Sequence, residues 1–109
     1  GDEVAYLPTS WPGARAPSFY LDDGTALFDK FGVGFTLLRL GGEAAAGDGI
    51  TAAAHQRGVP ISEIEVSDER VREVYDRDII LIRPDGHVAW RGNRAPDDPL
   101  ALIDQVRGA

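Results

Sequence analysis

A chain of 109 residues, 43% of them hydrophobic and 27% charged, has apolar material for one small globular core and not for a second. Its net charge of −7, with Lys30 as its single lysine and its arginines scattered among carboxylates, excludes the cationic surface that nucleic-acid phosphates require. The lack of any cysteine removes disulfides, zinc thiolates and dithiol redox chemistry together, and the longest aliphatic run, Ile79–Ile82, is far short of the roughly 20 residues of a membrane helix.

The N-terminus, Gly1-Asp2-Glu3, is acidic and has no hydrophobic stretch of the kind that marks a secretory signal, so a cytoplasmic location is expected. Methionine is absent throughout, which leads to the expectation that the chain is cut from a longer polypeptide. Residues 1–18 read as a proline-rich connector. Pro8, Pro12 and Pro17 each remove a backbone donor and push the preceding residue toward extended geometry, so neither a helix nor a central strand fits. Residues 19–109 read as the folded domain.

Within that domain, Phe19-Tyr20-Leu21 is expected to form a short strand closed by the turn Asp22-Asp23-Gly24. Thr25 is placed to cap a short helix, Ala26–Phe31, that buries Leu27, Phe28 and Phe31 before Gly32 and Gly34 end it. Phe35–Leu40 reads as a mostly buried strand, followed by a Gly/Ala-rich loop from Gly41 to Gly47. Asp48 is the expected N-cap of a helix running to about Arg57, with Gly58 as its stop. Val59–Val66 forms the next strand. Ser67 or Asp68 then caps a helix whose Val71, Val74 and Tyr75 share one face.

Ile79–Ile82 is apolar at every position, which marks a central strand covered on both faces. Pro84-Asp85-Gly86 supplies turn chemistry, and the return strand sets Val88 and Trp90 on one face with His87, Ala89 and Arg91 on the other. Asp97 or Asp98 caps a last helix, with Pro99 in its first turn, Leu102, Ile103 and Val106 facing inward, and Gly108 as its end. The order is β-α-β-α-β-α-β-β-α, with parallel crossovers first and an antiparallel hairpin last. A terminal hairpin plus helix is the closing half of a thioredoxin-like α/β domain with a central mixed sheet.

The chemistry usual for that fold is missing. A Cys-x-x-Cys would follow Leu40, where the chain reads Gly41-Gly42-Glu43-Ala44, and the proline usual before the hairpin is replaced by Arg77-Asp78. Gly32-Val33-Gly34 precedes a strand instead of following one, so it is a helix stop and not a dinucleotide loop. His55 and His87 have no partners at metal-ligand spacing, and the pairs Asp22/Asp23 and Asp97/Asp98 fit turn and capping roles. No catalytic, cofactor-binding or metal residue is assigned. Trp11 and Trp90 fit either a core or the anchor of an interface.

Pro12-Gly13-Ala14-Arg15-Ala16-Pro17, then Tyr20-Leu21, Asp23-Gly24, Leu27-Phe28-Asp29 and Gly34-Phe35-Thr36-Leu37-Leu38, resemble the C-terminal domain of FAD-dependent aromatic hydroxylases such as phenol hydroxylases, dichlorophenol monooxygenases and polyketide ring hydroxylases. The segment Leu81–Arg91 is similar to the one that closes those proteins. The family often has His and then Trp shortly after the proline-flanked segment, where this chain has Ser18 and Tyr20, and that departure blurs the subfamily. The resemblance implies a domain without redox cysteines, appended to a flavin domain that uses FAD, NADH or NADPH and oxygen to hydroxylate phenolic rings. The expected partners are that upstream FAD-binding domain and, as in some members, a second copy in a homodimer. Trp11, Pro12, Gly13, Arg15, Pro17 and Trp90 are the docking or interface candidates. The competing reading from a different class is a free-standing, redox-inactive thioredoxin-like interaction module; a small enzyme using His55 or His87 with carboxylates is a third.

Overall fold

The computed structural model describes residues 13–17, 19–21, 24–42 and 46–107. Trp11 and Pro12, the Asp22-Asp23 step, Glu43-Ala44 and Gly108 lie outside the described residues.

The described residues form a sheet of β1 (Phe35–Arg39), β2 (Ile61–Glu65), β3 (Ile79–Ile82) and β4 (Val88–Gly92) in the order β2-β1-β3-β4, with helices α1 (Asp48–Gln56), α2 (Glu69–Tyr75) and α3 (Pro99–Val106). β1 and β2 are parallel, whereas β3 is antiparallel to both β1 and β4. The second crossover therefore differs from the parallel one expected. Arg39 pairs with both Glu65, the last residue of β2, and Ile79, the first of β3, so the chain re-enters the sheet at the end where it left. At seven residues α2 rises about 10 Å, too little to return along a five-residue strand of about 17 Å. Asp76 closes α2 in the left-handed region (φ +65°), a conformation that a short polar side chain tolerates.

Side-chain alternation divides the core between the two faces of the sheet. Leu38, Ile80 and Ile82 join Leu27, Val71 and Tyr75 on the α2 face, while Leu37, Ile79 and Leu81 join Ile50, Ala54 and Ile103 on the α1/α3 face. All four residues of β3 are buried, as its unbroken apolar run requires, and each such aliphatic side chain contributes roughly 1.5–3 kcal/mol.

The return strand breaks the expected alternation. A bulge lies between the pairs Ile82↔Val88 and Leu81↔Trp90, so Ala89 is the extra residue. One added residue reverses the parity. Val88 therefore packs with the α2 cluster and Trp90 with the α1/α3 cluster, on opposite faces. Arg91, now opposite Ile80, is carried to the α2 face, where its guanidinium reaches the Tyr75 carbonyl (3.4 Å).

Three local expectations near the N-terminal side also change. Phe19–Leu21 is a single bridge, Tyr20↔Ala26, because Leu21 N–H already bonds Thr25 O (2.8 Å) and the chain turns back too soon for a ladder. The helix after it is a 3-10 turn, Leu27–Lys30, entered from Ala26 without a side-chain cap. Gly47 takes the N-cap position of α1, since Asp48 lies in the first turn with its carboxylate on Arg39. The other two caps hold: Asp68 accepts from Arg70 N–H and Asp98 from Ala101 N–H. Among the described residues no helix is long and apolar enough to cross a membrane.

Candidate functional site

The proline-flanked segment is built into the domain. Gly13 N–H donates to Val88 O (2.7 Å), Val88 N–H to Ala14 O (2.8 Å) and Ala16 N–H to Gly86 O (2.8 Å), which makes Arg15↔His87 an antiparallel bridge against the start of β4. Ala16 faces inward and is buried, while Arg15 points outward and is exposed. The segment is then fastened from below. Tyr75, fully buried on α2, donates its phenol proton to Pro17 O at 2.6 Å, and Phe19 packs its ring 6.4 Å from that of Tyr75. Burial holds the Tyr75 phenol well above the ordinary tyrosine range, so it stays a neutral donor.

The hairpin tip that receives this segment is itself ordered by Asp85. Its Oδ1 accepts from His87 N–H (3.1 Å) while its other oxygen pairs with Arg83. Desolvation alone would raise the Asp85 carboxyl, but the His87 amide and the Arg83 charge outweigh it and leave it below its usual value. Gly86 makes the turn with φ +86°.

Of the docking candidates, Gly13, Arg15 and Pro17 thus come together along the hairpin. Trp90 does not join them. It is half-buried in the middle of β4 on the α1/α3 face, with its ring over Gly92, where an added Cβ would lie 2.6 Å from Cζ2. Two surface hollows went unanticipated. A groove of about 670 Å³ lies between the hairpin tip, Gly13 and the end of α3, walled by Phe35, Val88, Ala89 and Val106. A second, of about 630 Å³, lies at the opposite edge of the sheet between Lys30 and the Ile64–Asp68 segment. Each draws on segments far apart in sequence, so no local pattern announces it.

The end of β1, where a redox dithiol would sit, is closed by charge. Asp78 projects its carboxylate against Gly41 and Gly42, so that an added Cβ would meet it at 3.0 and 2.9 Å. The carboxylate is held there by Arg72 Nε (2.8 Å), and the Asp78 N–H by Asn93 Oδ1 (3.0 Å). α1 opens on a second acid, Asp48. A glycine pair after a strand and before a helix is the usual cradle for a pyrophosphate, but these two carboxylates repel one. The described residues of this corner, Gly41 and Gly42 beside the Asp78 and Asp48 carboxylates, do not fit the pyrophosphate of FAD. Among the described residues no cluster of His, Asp and Glu suits a metal ion. His55 is exposed in the last turn of α1.

A β2-β1-β3-β4 sheet with β3 reversed, helices on both faces and no cysteine after β1 defines a thioredoxin-like domain stripped of its redox centre. The chain belongs to the family of aromatic-ring hydroxylase C-terminal domains, which it matches over residues 9–108. It is 35% identical to an FAD-dependent monooxygenase of Emericella nidulans, over 94% of this chain and 18% of that protein. It is 34% identical to the tetracenomycin B2 monooxygenase-dioxygenase of Streptomyces olivaceus, over 90% and 20%. The substrate-free rebeccamycin biosynthetic enzyme REBC superposes with a TM-score of 0.86 at 41% identity, over 95% of this chain and 20% of that one. The chain therefore spans about a fifth of the length of the relatives it matches.

Proposed function

We propose that this chain is the C-terminal domain of an FAD-dependent, NAD(P)H-using monooxygenase that hydroxylates phenolic or related aromatic rings. The observation that carries the reading is the match over residues 9–108 to a domain that forms about a fifth of FAD-dependent relatives. In that setting the flavin supplies the oxygen-activating chemistry from an upstream domain. The residues of this chain fold, pack and present a surface. The carboxylates of Asp48 and Asp78 beside the described glycines of the β1–α1 corner support a role without cofactor contact there.

The test uses the longer protein from its own reading frame. Purified, it is expected to carry flavin absorbance and to couple NADH or NADPH oxidation to hydroxylation of a phenolic substrate. The 109-residue chain alone is expected to show no flavin absorbance. A longer protein that binds no flavin after reconstitution with FAD refutes the assignment.

A further inference from the structure

We propose that the outer edge of β2 is a docking site for an extended segment of a partner protein, one that alternates aliphatic and basic residues. The backbone argues for it first. β2 ends the sheet, with β1 on one side and, among the described residues, no strand on the other. Phe35 N–H donates to Pro60 O and Val66 N–H to Arg39 O, so the even-numbered residues of this stretch turn their polar groups toward β1. Alternation then points the N–H and C=O groups of Ile61, Glu63 and Glu65 away from the sheet, and among the described residues no hydrogen bond reaches them. A strand laid beside β2 meets this row of donors and acceptors already in place.

The two faces of the edge define the side chains such a strand must carry. On the α2 face, Ile64 and Val66 join Leu21 in the wall of the hollow of about 630 Å³ beside Lys30. On the α1/α3 face, Glu63 and Glu65 are exposed and line a smaller hollow of about 240 Å³. Arg39 pairs with Glu63 at 2.9 Å and also with Asp48, while among the described residues Glu65 has no ion-pair partner, so acid is in surplus on this face. Successive side chains of a strand point to opposite faces. An added strand therefore sets every second residue into the apolar hollow and the others against the acids, where opposite charge stabilises the pair and like charge destabilises it. A second copy of this chain fails that match, because an edge-to-edge pair of β2 strands sets Glu63 and Glu65 against the same two acids. Residues 1–12 fail it too, with Asp2 and Glu3 and no lysine or arginine among them. At the opposite edge of the sheet the backbone half of the argument is missing, since residues 13–16 already bond Gly86 and Val88.

The test uses the longer protein and short fluorescein-labelled peptides: alternating valine and arginine, the same composition in block order, and alternating valine and glutamate. Its outcome is independent of flavin content and so stands apart from the assignment above. By fluorescence anisotropy we expect saturable binding of the alternating valine–arginine peptide, about tenfold tighter than either of the others. Hydrogen–deuterium exchange should slow at residues 61–65 when it binds. Glu65→Lys reverses one charge at an exposed position and should weaken binding roughly fivefold. Glu63→Pro deletes one outward N–H and leaves the ladder to β1 whole; it should bind roughly fivefold more weakly than Glu63→Gln, which loses the charge alone. Should Glu63→Pro fail to fold, the Glu65→Lys comparison still decides. Equal affinity for the alternating and block-order peptides reduces the edge to diffuse charge attraction and overturns the proposal. Exchange slowed elsewhere but not at residues 61–65 overturns it as well, as does the lack of any saturable binding.

Discussion

Replacing Tyr75 by Phe removes one oxygen from the interior and leaves the ring packed against Phe19. The Pro17 carbonyl, which accepts that phenol proton at 2.6 Å, then loses this donor in a buried setting. An unsatisfied buried acceptor costs about 1–3 kcal/mol, so Tyr75→Phe should lower unfolding free energy by about 1–2 kcal/mol and the melting temperature by several degrees. A second signature belongs to the phenol and not to packing. Because burial raises the folded-state value, the unfolded chain gives up the Tyr75 proton first. The stability from keeping it neutral is complete below about pH 10 and is lost as pH rises toward and through the folded value, at up to about 1.4 kcal/mol per pH unit. Urea titrations of both proteins between pH 8 and about pH 11 provide the assay. The wild-type curve should fall more steeply than that of Tyr75→Phe above about pH 10, so the gap between them narrows. A Tyr75→Phe protein within about 0.3 kcal/mol of wild type at neutral pH, with a parallel alkaline limb, would show that the phenol does not fasten the connector.

Leu81→Ala, at a fully buried position of β3, should cost about 2–5 kcal/mol by chemical denaturation. Gly86→Ala meets no atom within 4 Å but must adopt φ near +86°, so its loss of about 1–2 kcal/mol should come from backbone strain alone and should recur with any L residue other than Asn or Asp. Asp98→Ala removes the cap on Ala101 N–H and should lower stability by about 1 kcal/mol, with Asp98→Asn recovering most of it. The Asp68 carboxyl is held below its usual value chiefly by the Arg70 side chain. Its stabilising effect is therefore present above about pH 4 and fades as pH falls through its lower folded value, and Asp68→Asn should flatten that part of the acid-unfolding curve.

How much of this was readable in the sequence depended on how far each interaction reaches along the chain. Asp68 and Asp98 bond amides two and three residues away, and their capping roles were legible from neighbours alone. Ile79–Ile82 was legible as a central strand because an unbroken apolar run satisfies no other surface. Asp48 was displaced from its expected cap because Arg39, nine positions earlier, offered its carboxylate a charged partner. The faces of Val88 and Trp90 were misassigned because period-two alternation holds only while the register does, and the bulge at Ala89 is set by pairing with β3. The candidate site was half visible. Gly13, Arg15 and Pro17 stood out by composition, but their attachment rests on Val88, Gly86 and Tyr75, more than fifty residues away. The groove needs Gly13, Phe35, Ala89 and Val106 together, and no spacing rule joins four such segments.

The end of β1 and the two edges of the sheet are protected by different means. Arg39 bridges Asp48 and Glu63, and Arg72 holds Asp78, so the end of β1 is occupied by mutually satisfied charges. The outer strand β2 carries the exposed acids Glu63 and Glu65, which discourage edge-to-edge pairing with another sheet. At the other edge, β4 solves the same problem with backbone. Residues 13–16 cover its first residues, so the segment that leads into this domain also blunts its open edge. A segment that completes the sheet cannot detach without exposing those amides.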